Sequence, residues 1–491
     1  MFSPKTTINT AHALQFKSFK LSALAVQNGC RHPHGAVGWL FHTELGSWKA
    51  ADPLELALFR QLRTPLSWSE LLSLNTTQSP LVLKHKLQAW YNLGFITLNG
   101  RLCADAFRQV DVNTLGAHFL ALHMTSACSL HCAYCYNASG RSDSSAPEQF
   151  LSANLACRFI EKACRDFNSP ILQIGFMGGE PMLAFAQIQR IIEHSLPIAR
   201  RYSKELHFSL QTNGLHFDDN KLDFLRDYRV GVGISLDGPA AWHDKYRRTS
   251  NGQPTHKQAA QSFIQARRHG IAVSPLAVIT APEQMLEALR YFVRELQAFN
   301  IGFNICCPIG RGRDHFTQSS DGLDKMHQAY IKAVLETELL SKECGHSVTV
   351  SDFQNRLRGL VDFRQEHMCL RSPCGLGTSI LALDSRGLIY ACEEYEPATQ
   401  EAMCLGHLDN LGNLAHLANS NSQLRYLLNR NVDTIPNCKR CWLRTQCGGG
   451  CTHRALAQTG HILGLDPMCK FYKKIYPDLM WFLAFKQKLD N

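Results

Sequence analysis

The spacing of apolar residues divides the 491-residue chain into three parts. In the middle part, which begins near His118, short apolar runs alternate with segments of helical periodicity, and this alternation predicts parallel strands joined by helices. Six runs qualify as strands: HFLALHM, ILQIGFM, HFSLQT, VGVGISL, AVSPLAVI and IGFNICC. Eight such β/α units close a barrel. With six, we expect an α/β fold built on an open, partial (β/α)6 barrel, whose mouth lies at the carboxyl ends of the strands.

The first part of the chain predicts a small α+β module. GAVGWLF is a strand candidate, and Asp52-Pro53 suits the N-cap and first residue of a helix over LELALFRQL. The spacing of Ser67 and Glu70 is that of a capping box, which predicts a second helix. The signals of a third helix and a hairpin follow: Leu83, Leu87, Trp90, Gly94 and the turn Asn99-Gly100. One strand, three helices and a two-stranded wing make a winged-helix-like pattern.

The third part is rich in cysteine and poor in apolar periodicity beyond about Glu366. A region of this kind usually needs bound metal to fold. The predicted domains are therefore a winged-helix-like domain over residues 1–112, the partial barrel over 113–345, and a cysteine-rich domain with a C-terminal helix over 346–491.

Composition limits the location and the partners of the protein. No apolar run approaches the roughly 18 residues that a membrane-spanning helix needs, and the opening MFSPKTTINTAH lacks the apolar core of a secretory signal. We therefore expect a cytoplasmic protein without a membrane partner. The net charge of +10 is spread without a long Lys/Arg run, which favours a solvated basic surface over nucleic-acid binding. An acidic peptide partner would also suit this charge.

Nineteen cysteines in a chain without an export signal are more typical of metal ligands or reactive thiols than of disulfides. Eleven of them fall into groups with ligand-like spacing. The remaining eight are scattered, and we interpret them as ordinary small buried residues: Cys30, Cys103, Cys157, Cys164, Cys306, Cys307, Cys344 and Cys404.

The first cysteine group follows the first barrel strand, where Cys128, Cys132 and Cys135 have the spacing C-x3-C-x2-C. Three thiolates hold three irons of a cubane cluster and leave the fourth iron open to another ligand. This spacing, with Tyr134 before the third cysteine, resembles the radical S-adenosylmethionine (SAM) superfamily. In that family the amine and carboxylate of SAM chelate the open iron. The alternative is a three-cysteine zinc site with some fourth ligand.

Polar motifs follow the next three strands, and their order strengthens the resemblance. Two glycines allow close approach of the backbone to a ligand, and the neighbouring carboxylate of Glu180 can accept hydrogen bonds from an ammonium group. The resemblance implies that the motifs GGEP, QTNG and SLDGP, with a later arginine, bind SAM. The implied contacts are Gly178, Gly179, Glu180, Pro181, Gln211, Asn213, Ser235, Asp237 and Arg247.

The carboxy-terminal cysteines form a longer signature, C-x12-G-x4-C, then C-x2-C-x5-C-x3-C, then a final cysteine. This signature resembles the SPASM domain, which carries two auxiliary 4Fe-4S clusters in radical SAM enzymes that mature peptides and proteins. The resemblance implies one cluster on Cys369, Cys374, Cys392 and Cys451, and another on Cys438, Cys441, Cys447 and Cys469. With the SAM-binding cluster the total would be three. A zinc ribbon is the alternative for the C-x2-C pair alone.

By this resemblance, the protein reductively cleaves SAM to a 5′-deoxyadenosyl radical and modifies a side chain of a ribosomally made peptide or protein, as a radical SAM oxidoreductase. The nearest rival is an anaerobic sulfatase-maturating enzyme, which converts Cys or Ser to formylglycine; a second is a non-catalytic iron–sulfur electron carrier. Sulfatase maturases carry an aspartate just after the second SPASM cysteine as a candidate base. Here that position is Glu393, followed by Glu394, and the alternative for such an acidic pair is a solvated loop.

The implied partners are a precursor peptide or protein substrate and an electron donor such as flavodoxin or ferredoxin. The amino-terminal pattern resembles the peptide-recognition modules of enzymes that mature ribosomal peptides, which bind a leader peptide as an extra strand. The alternative is a small domain that only braces the barrel. The sequence leaves open the substrate, the target residue, the bond formed, the role of the auxiliary clusters and the oligomeric state.

Overall fold

The computed structural model describes Ser3 and residues 5–11, 14–17, 38–75, 78–103, 118–137, 149–314, 320–394 and 399–489. Cys30, the first residues of GAVGWLF and the predicted boundary near residue 112 lie outside these ranges.

The described residues of the amino-terminal part form two small sheets and three helices. Its strands are β1 Thr7–Thr10, β2 Leu14–Lys17, β3 Gly38–His42, β4 Trp48–Ala51, β5 Leu66–Ser67 and β6 Ile96–Leu98. Its helices are α1 Pro53–Gln61, α2 Trp68–Leu74 and α3 Pro80–Asn92. Strands β2, β3 and β4 form one antiparallel sheet, and β1 lies between β5 and β6 in the other.

The helix signals of this part are confirmed. Asp52 and Ser67 each close a capping box, with Glu55 and Glu70 respectively. Asn99 and Gly100 both have positive φ angles, which is the backbone of a tight hairpin turn. The return strand of this predicted wing is reduced to a single bridge from Leu98 to Arg101. The additional strands were not predicted because runs of two to four residues carry too little alternation to be recognised.

The middle part is the predicted parallel barrel. Its strands are β7 His118–His123, β8 Ile171–Met177, β9 Glu205–Thr212, β10 Gly231–Ser235, β11 Val273–Ile279, β12 Asn300–Ile305 and β13 Thr349–Val350. Its helices are α4 Ala153–Asp166, α5 Phe185–Arg201, α6 Asp219–Asp227, α7 Ala240–Tyr246, α8 His256–Arg268, α9 Pro282–Arg294, α10 Ser320–Cys344 and α11 Ser351–Val361. All six predicted strands are present and pair in parallel in sequence order, with the two-residue β13 added at the edge.

The carboxy-terminal part extends the same sheet from its other edge. Its strands are β14 Ile380–Leu383, β15 Leu388–Tyr390 and β16 Cys404–His407. Its helices are α12 Gln400–Met403, α13 Leu417–Ser420, α14 Ser422–Leu428, α15 Arg444–Cys447, α16 Thr452–Thr459 and α17 Cys469–Leu489. Strand β14 pairs in parallel with β7, and β15 and β16 follow as antiparallel strands. Within the described residues the shared sheet therefore has ten strands.

Aromatic side chains join the first and third parts of the chain. The rings of Trp39 and Trp481 are 3.8 Å apart between centroids, and those of Phe41 and Trp442 are 5.2 Å apart. Trp48 donates a hydrogen bond of 2.8 Å from its indole nitrogen to the carbonyl of Leu360. Strands β3 and β4 thus contribute to the main core, while the amino-terminal helices pack on a smaller core of their own. Among the described helices, none is both long and apolar enough to cross a membrane.

Candidate functional site

The first cysteine group lies on the loop after β7, at the carboxyl-terminal edge of the sheet. The loop is held by backbone hydrogen bonds from His131 to the carbonyl of Arg248, and from Ala133 to that of Tyr246. Cys132 is buried and Cys128 and Cys135 are half-buried. Burial raises the pKa of Cys128 to about 12 and that of Cys132 to about 11. Ionised thiols are therefore costly in this site unless a metal or another positive charge compensates them.

The glycines of the GGEP motif pack directly against the cysteine loop. Gly179 and Glu180 donate backbone hydrogen bonds to the carbonyls of Thr125 and Ala127, at 2.7 and 2.8 Å. A Cβ atom on Gly179 would overlap the carbonyl of Ala127, and one on Gly178, where φ is +126°, would overlap that of Thr125. Only glycine therefore allows this approach. Pro181 begins a short 3-10 helix, Pro181–Ala184.

Glu180 is buried and binds the next motif instead of facing open space. Its carboxylate accepts hydrogen bonds from the Thr212 hydroxyl at 2.7 Å and from the backbone nitrogens of Asn213 at 2.8 Å and Met182 at 3.0 Å. Burial raises the pKa of Glu180 to about 7, while these three hydrogen bonds favour the ionised form. The carboxylate therefore ties the end of β8 to the end of β9.

The amide of Asn213 continues this connection to the cysteine loop. Its side-chain nitrogen donates to the hydroxyl of Ser129 at 3.1 Å, one residue after Cys128. Ser129 in turn lies 3.0 Å from Nε2 of His216. On the neighbouring strands, Gln211 donates to the hydroxyl of Ser235 at 3.0 Å. These five predicted or adjacent side chains therefore form contacts across β9, β10 and the loop.

Asp237 organises the other side of the loop. Its carboxylate accepts from the Val278 backbone nitrogen at 3.0 Å, from Nε of Arg247 at 3.1 Å and from the Tyr134 hydroxyl. Arg247 also lies over the Tyr134 ring, with its guanidinium carbon 5.3 Å from the centroid, and approaches the Cys132 sulfur at 3.9 Å. Asp237 and Arg247 are thus buried partners of the cysteine loop. A donor near a ligating sulfur is one means of tuning a cluster's potential.

The segment after β12 completes the enclosure and was missed by the sequence analysis. Arg311 donates from Nε to the carbonyl of Cys132 at 2.9 Å and from its backbone to that of Cys135 at 3.0 Å. A Cβ on Gly310 would overlap the carbonyl of Cys135. Cys306 packs in the apolar cluster of Cys132 and Tyr134, so this scattered cysteine lies beside the site. The sequence does contain a signal for this segment: GRGR follows shortly after the predicted strand IGFNICC, at the end of the strand where the barrel mouth was expected.

The effects of the carboxy-terminal cysteines on one another's pKa values fall into two sets. Burial of the Cys369 thiol raises its pKa, although the residue as a whole is exposed, and Cys374 and Cys451 add to the rise. Burial likewise raises the pKa of Cys392, and the neighbouring Glu394 and Cys451 add to this rise. In the second group, the pKa of Cys438 is raised to about 11. Burial is the main cause, and the neighbouring thiols of Cys441 and Cys469 contribute.

The link between Cys447 and Cys451 passes between these two groups. Burial raises the pKa of Cys447 to about 12, with Cys469 adding to it, and burial raises that of Cys451 to about 12. Gly448, Gly449 and Gly450 all have positive φ angles, between 67° and 85°. This backbone, which favours glycine, carries the chain from one cysteine group to the other within three residues.

The donor chemistry of both groups fits iron–sulfur clusters. The described cysteines are free thiols. Nowhere in the described ranges do three or more His, Cys, Asp or Glu side chains form a group that could hold a single metal ion. Each thiolate of a cubane binds a different iron, so four cysteines around a cluster do not converge on one point.

Glu393 and Glu394 directly follow Cys392, and both interact electrostatically with Tyr136, the residue after Cys135. Glu393 is half-buried, and the side chain of Glu394 is 36% exposed. Burial, followed by repulsion from Glu394, raises the pKa of Glu393 to about 7. Burial of Tyr136, the residue after Cys135, raises its pKa, and Glu394 and Glu393 add to this rise. His453 lies 3.7 Å from Glu394.

Comparison with known proteins agrees with this geometry. Residues 122–296 match the model of the Radical SAM superfamily. A cysteine-type anaerobic sulfatase-maturating enzyme of Clostridium perfringens is 21% identical over 72% of this chain and 93% of its own length. The solved structure of anSMEcpe with bound AdoMet and a Cp18Cys peptide has a TM-score of 0.63 at 20% identity, covering 76% of this chain and 99% of that one. Streptococcus suis SuiB bound to the precursor peptide SuiA has a TM-score of 0.53 at 13% identity, covering 94% and 98%.

The barrel and its cysteine loop therefore define a radical SAM domain. Over 76% of its length the chain has the fold of anSMEcpe, and its sequence relatives include enzymes named as sulfatase maturases.

We predict that Gly179→Ala, a change in the GGEP motif, disrupts the cysteine loop that this motif contacts. The added methyl would displace the carbonyl of Ala127, next to Cys128, at a cost of about 1–3 kcal/mol for overpacking. Denaturant unfolding of the metal-free protein measures the cost, and iron analysis after anaerobic reconstitution measures the loss of binding. Gly412→Ala is the matched control, because nothing lies within 4 Å of its Cβ position. Equal stability and iron content in both variants would refute the assigned contact.

Proposed function

We propose that the protein is a radical SAM oxidoreductase that modifies a side chain of a ribosomally made peptide or protein. The observation that carries this proposal is the hydrogen-bonded connection from three successive strand ends to one cysteine loop. Glu180 and Asn213 reach it through Ser129, and Asp237 reaches it through Tyr134 and Arg247. A zinc site does not require such a set of converging polar motifs.

The residues of the loop would hold a 4Fe-4S cluster through Cys128, Cys132 and Cys135. When bound, the cluster and SAM supply one-electron cleavage to a carbon radical. The residues proposed to surround SAM are Gly178, Gly179, Glu180, Pro181, Gln211, Asn213, Ser235, Asp237 and Arg247. Because Glu180, Asp237 and Arg247 are occupied with protein partners, we propose that they mainly fix the shape of the site, while Gln211 and Ser235 are less buried and better placed for direct contact.

We propose two further 4Fe-4S clusters on the carboxy-terminal cysteines, in the two groups described. Glu393 is the proposed base for the modified residue. Its support is its place directly after Cys392 and its electrostatic interaction with Tyr136, the residue after Cys135. Buried carboxylates of raised pKa are suited to proton transfer near neutral pH.

Replacing Cys128, Cys132 and Cys135 together by alanine should leave about two-thirds of the iron, because one of three four-iron clusters is lost. The variant should form no 5′-deoxyadenosine from SAM. Anaerobic iron and sulfide analysis and product chromatography measure these outcomes, with Cys157→Ala, a buried cysteine outside the groups, as control. Wild-type protein that binds only zinc would contradict the proposal. Wild-type protein whose clusters can be reduced but which does not cleave SAM would also contradict it, and would favour an electron carrier.

The electron donor is proposed to be an acidic carrier such as flavodoxin or ferredoxin, docking beside the first cysteine loop. Lys245 and Arg248 are exposed on the segment whose backbone pairs with this loop. Between them, the ring of Tyr246 lies 5.7 Å from that of Tyr134. Opposite charge steers such transient encounters and accelerates them at low salt.

Reversing both charges in Lys245→Glu/Arg248→Glu should therefore slow flavodoxin-driven SAM cleavage by about tenfold at low ionic strength. Cleavage driven by a small chemical reductant should remain unchanged, because that reductant needs no docking surface. Arg200→Glu/Arg268→Glu, an equal charge change at exposed arginines elsewhere, is the control. Equal slowing by both pairs would attribute the effect to net charge and would rule out this surface.

The substrate is proposed to be a precursor peptide captured by the amino-terminal part. Support comes from SuiB, which is solved with its precursor peptide and which this chain matches over 94% of its length. The exposed or edge strands of a small sheet can add a peptide strand through backbone hydrogen bonds. Tethering there would raise the concentration of the peptide's target segment at the barrel mouth. A simple deletion of this part is not a clean test, because Trp39, Phe41 and Trp48 pack in the main core.

Hydrogen exchange of the intact enzyme provides a cleaner test. A full-length precursor peptide should slow amide exchange in β2–β4 as well as at the barrel mouth, because the added strand engages free backbone groups. The same peptide without its leader is the control and should protect only the mouth. Protection confined to the mouth with both peptides would make the amino-terminal part a brace, and would favour recognition of the kind expected of a sulfatase maturase.

A further inference from the structure

Two buried arginines beside the auxiliary cysteines form no ion pair with a carboxylate of the described residues. Arg371 is 7% exposed and Arg430 is 3% exposed. Among the described side chains, no carboxylate forms an ion pair with either one, and the Nε atom of each has no hydrogen-bond partner. Removing a guanidinium charge from water without a counter-ion costs several kcal/mol. A further negative charge close to these cations would offset this cost.

Neighbouring arginines of the same region show the usual arrangement. Arg356 pairs with Asp352 at 3.1 Å, and Arg454 pairs with Asp466 at 2.9 Å. The carboxylate of Asp466 also accepts from the backbone nitrogens of Cys451 and Met468. Asp466 is the acid that acts most strongly on Arg430, but its hydrogen bonds go to these other groups.

Arg430 is anchored between the two cysteine groups. It donates to the carbonyls of Ile462 and of Gly464, the latter at 2.7 Å, and at 2.8 Å to that of Gly449. Gly449 lies between Cys447, of the second group, and Cys451, of the first. Its Cβ position is 4.0 Å from the sulfur of Cys438. The guanidinium is thus fixed by neutral carbonyls at the junction of the groups.

Arg371 is placed beside the first auxiliary group alone. It lies between Cys369 and Cys374 in the chain and donates to the hydroxyl of Ser379 at 2.5 Å. Burial lowers its pKa, and Cys374 and Cys369 oppose this shift. For Arg430, burial also lowers the pKa, and after Asp466 the opposing groups are Cys451, Cys374 and Cys438. By placement, Arg430 is hydrogen-bonded to Gly449, on the link between the two groups, whereas Arg371 lies between two cysteines of the first auxiliary group.

We infer that Arg371 and Arg430 are the counter-ions of the auxiliary clusters, with Arg430 shared between both clusters and Arg371 serving only the cluster of Cys369, Cys374, Cys392 and Cys451. This inference rests on the proposed cluster ligands. Thiolate-bound clusters carry net negative charge, and reduction adds one more negative charge. A buried cation stabilises the reduced form and raises the reduction potential, since charges in a low-dielectric interior interact strongly.

Redox titration of the auxiliary clusters, followed by electron paramagnetic resonance, tests the inference. The background is the intact chain with Cys128, Cys132 and Cys135 replaced by alanine, so that auxiliary signals are observed alone. Arg430→Gln should lower both midpoint potentials, and Arg371→Gln only one. A tenfold change in the ratio of oxidised to reduced cluster corresponds to about 59 mV for a one-electron couple, and we expect shifts of about this size.

Two controls separate charge from packing and position. Arg430→Lys keeps the charge and should retain potentials close to those of the unsubstituted arginine. Arg440→Gln removes an exposed arginine between Cys438 and Cys441, where water screens its charge, and should shift little. Shifts from Arg430→Gln no larger than from Arg440→Gln, or equal shifts from the lysine and glutamine variants, would overturn the inference.

Loss of clusters is also informative. If Arg430→Gln loses iron while Arg430→Lys keeps it, the charge is required for assembly and the inference stands; loss from both overturns it. Iron analysis of the background protein is made first. About eight irons there establish the proposed auxiliary clusters independently, and a background without iron contradicts the proposed function instead of the arginine assignment.

Discussion

Two buried carboxylates hold together the carboxyl-terminal edge of the barrel, and the candidate site depends on them. Glu180 joins the ends of β8 and β9, and Asp237 joins the end of β10 to β11 and to Tyr134 on the cysteine loop. A buried carboxylate is stable only when donors surround it, so each one fixes the positions of several neighbouring groups. The protein's own groups consequently hold the cysteine loop from two sides. Preorganisation of this kind lowers the cost of binding and orienting a ligand.

Much of this arrangement was predictable because strand ends carry local signals. Apolar runs followed by GGEP, QTNG and SLDGP located three strand termini to within a few residues, and Asp52 and Ser67 located two helix starts. The partners of the polar side chains were less accessible. Glu180 and Asp237 were expected to face SAM, yet their observed hydrogen bonds go to protein donors. Spacing along the chain places a residue at a strand end, whereas its partner comes from another strand and depends on packing.

The carboxy-terminal region shows the limits of sequence more clearly. The two cysteine groups could be stated in advance only through the resemblance, because connectivity does not follow from spacing. Strand β14 was not recognised, since a four-residue apolar run does not distinguish a strand from a helix. Nothing near Arg430 in the sequence indicates that it is buried without a carboxylate. Its environment is formed by segments far apart in the chain, and long-range burial leaves no local pattern.

The joint formed by Trp39 and Trp481 has a consequence for engineering. Enzymes with a separate recognition module invite replacement of that module to redirect them to new peptides. Here the exchanged piece would also have to match Trp442, which follows Cys441, and Gln446, which precedes Cys447 and donates to the carbonyl of Gly46. A replacement domain that does not pack against these residues would expose aromatic surface that is now buried, beside two cysteines of the second group. Under the proposed peptide capture, retargeting is therefore better attempted on the outer strands of the amino-terminal part than by exchanging that whole part.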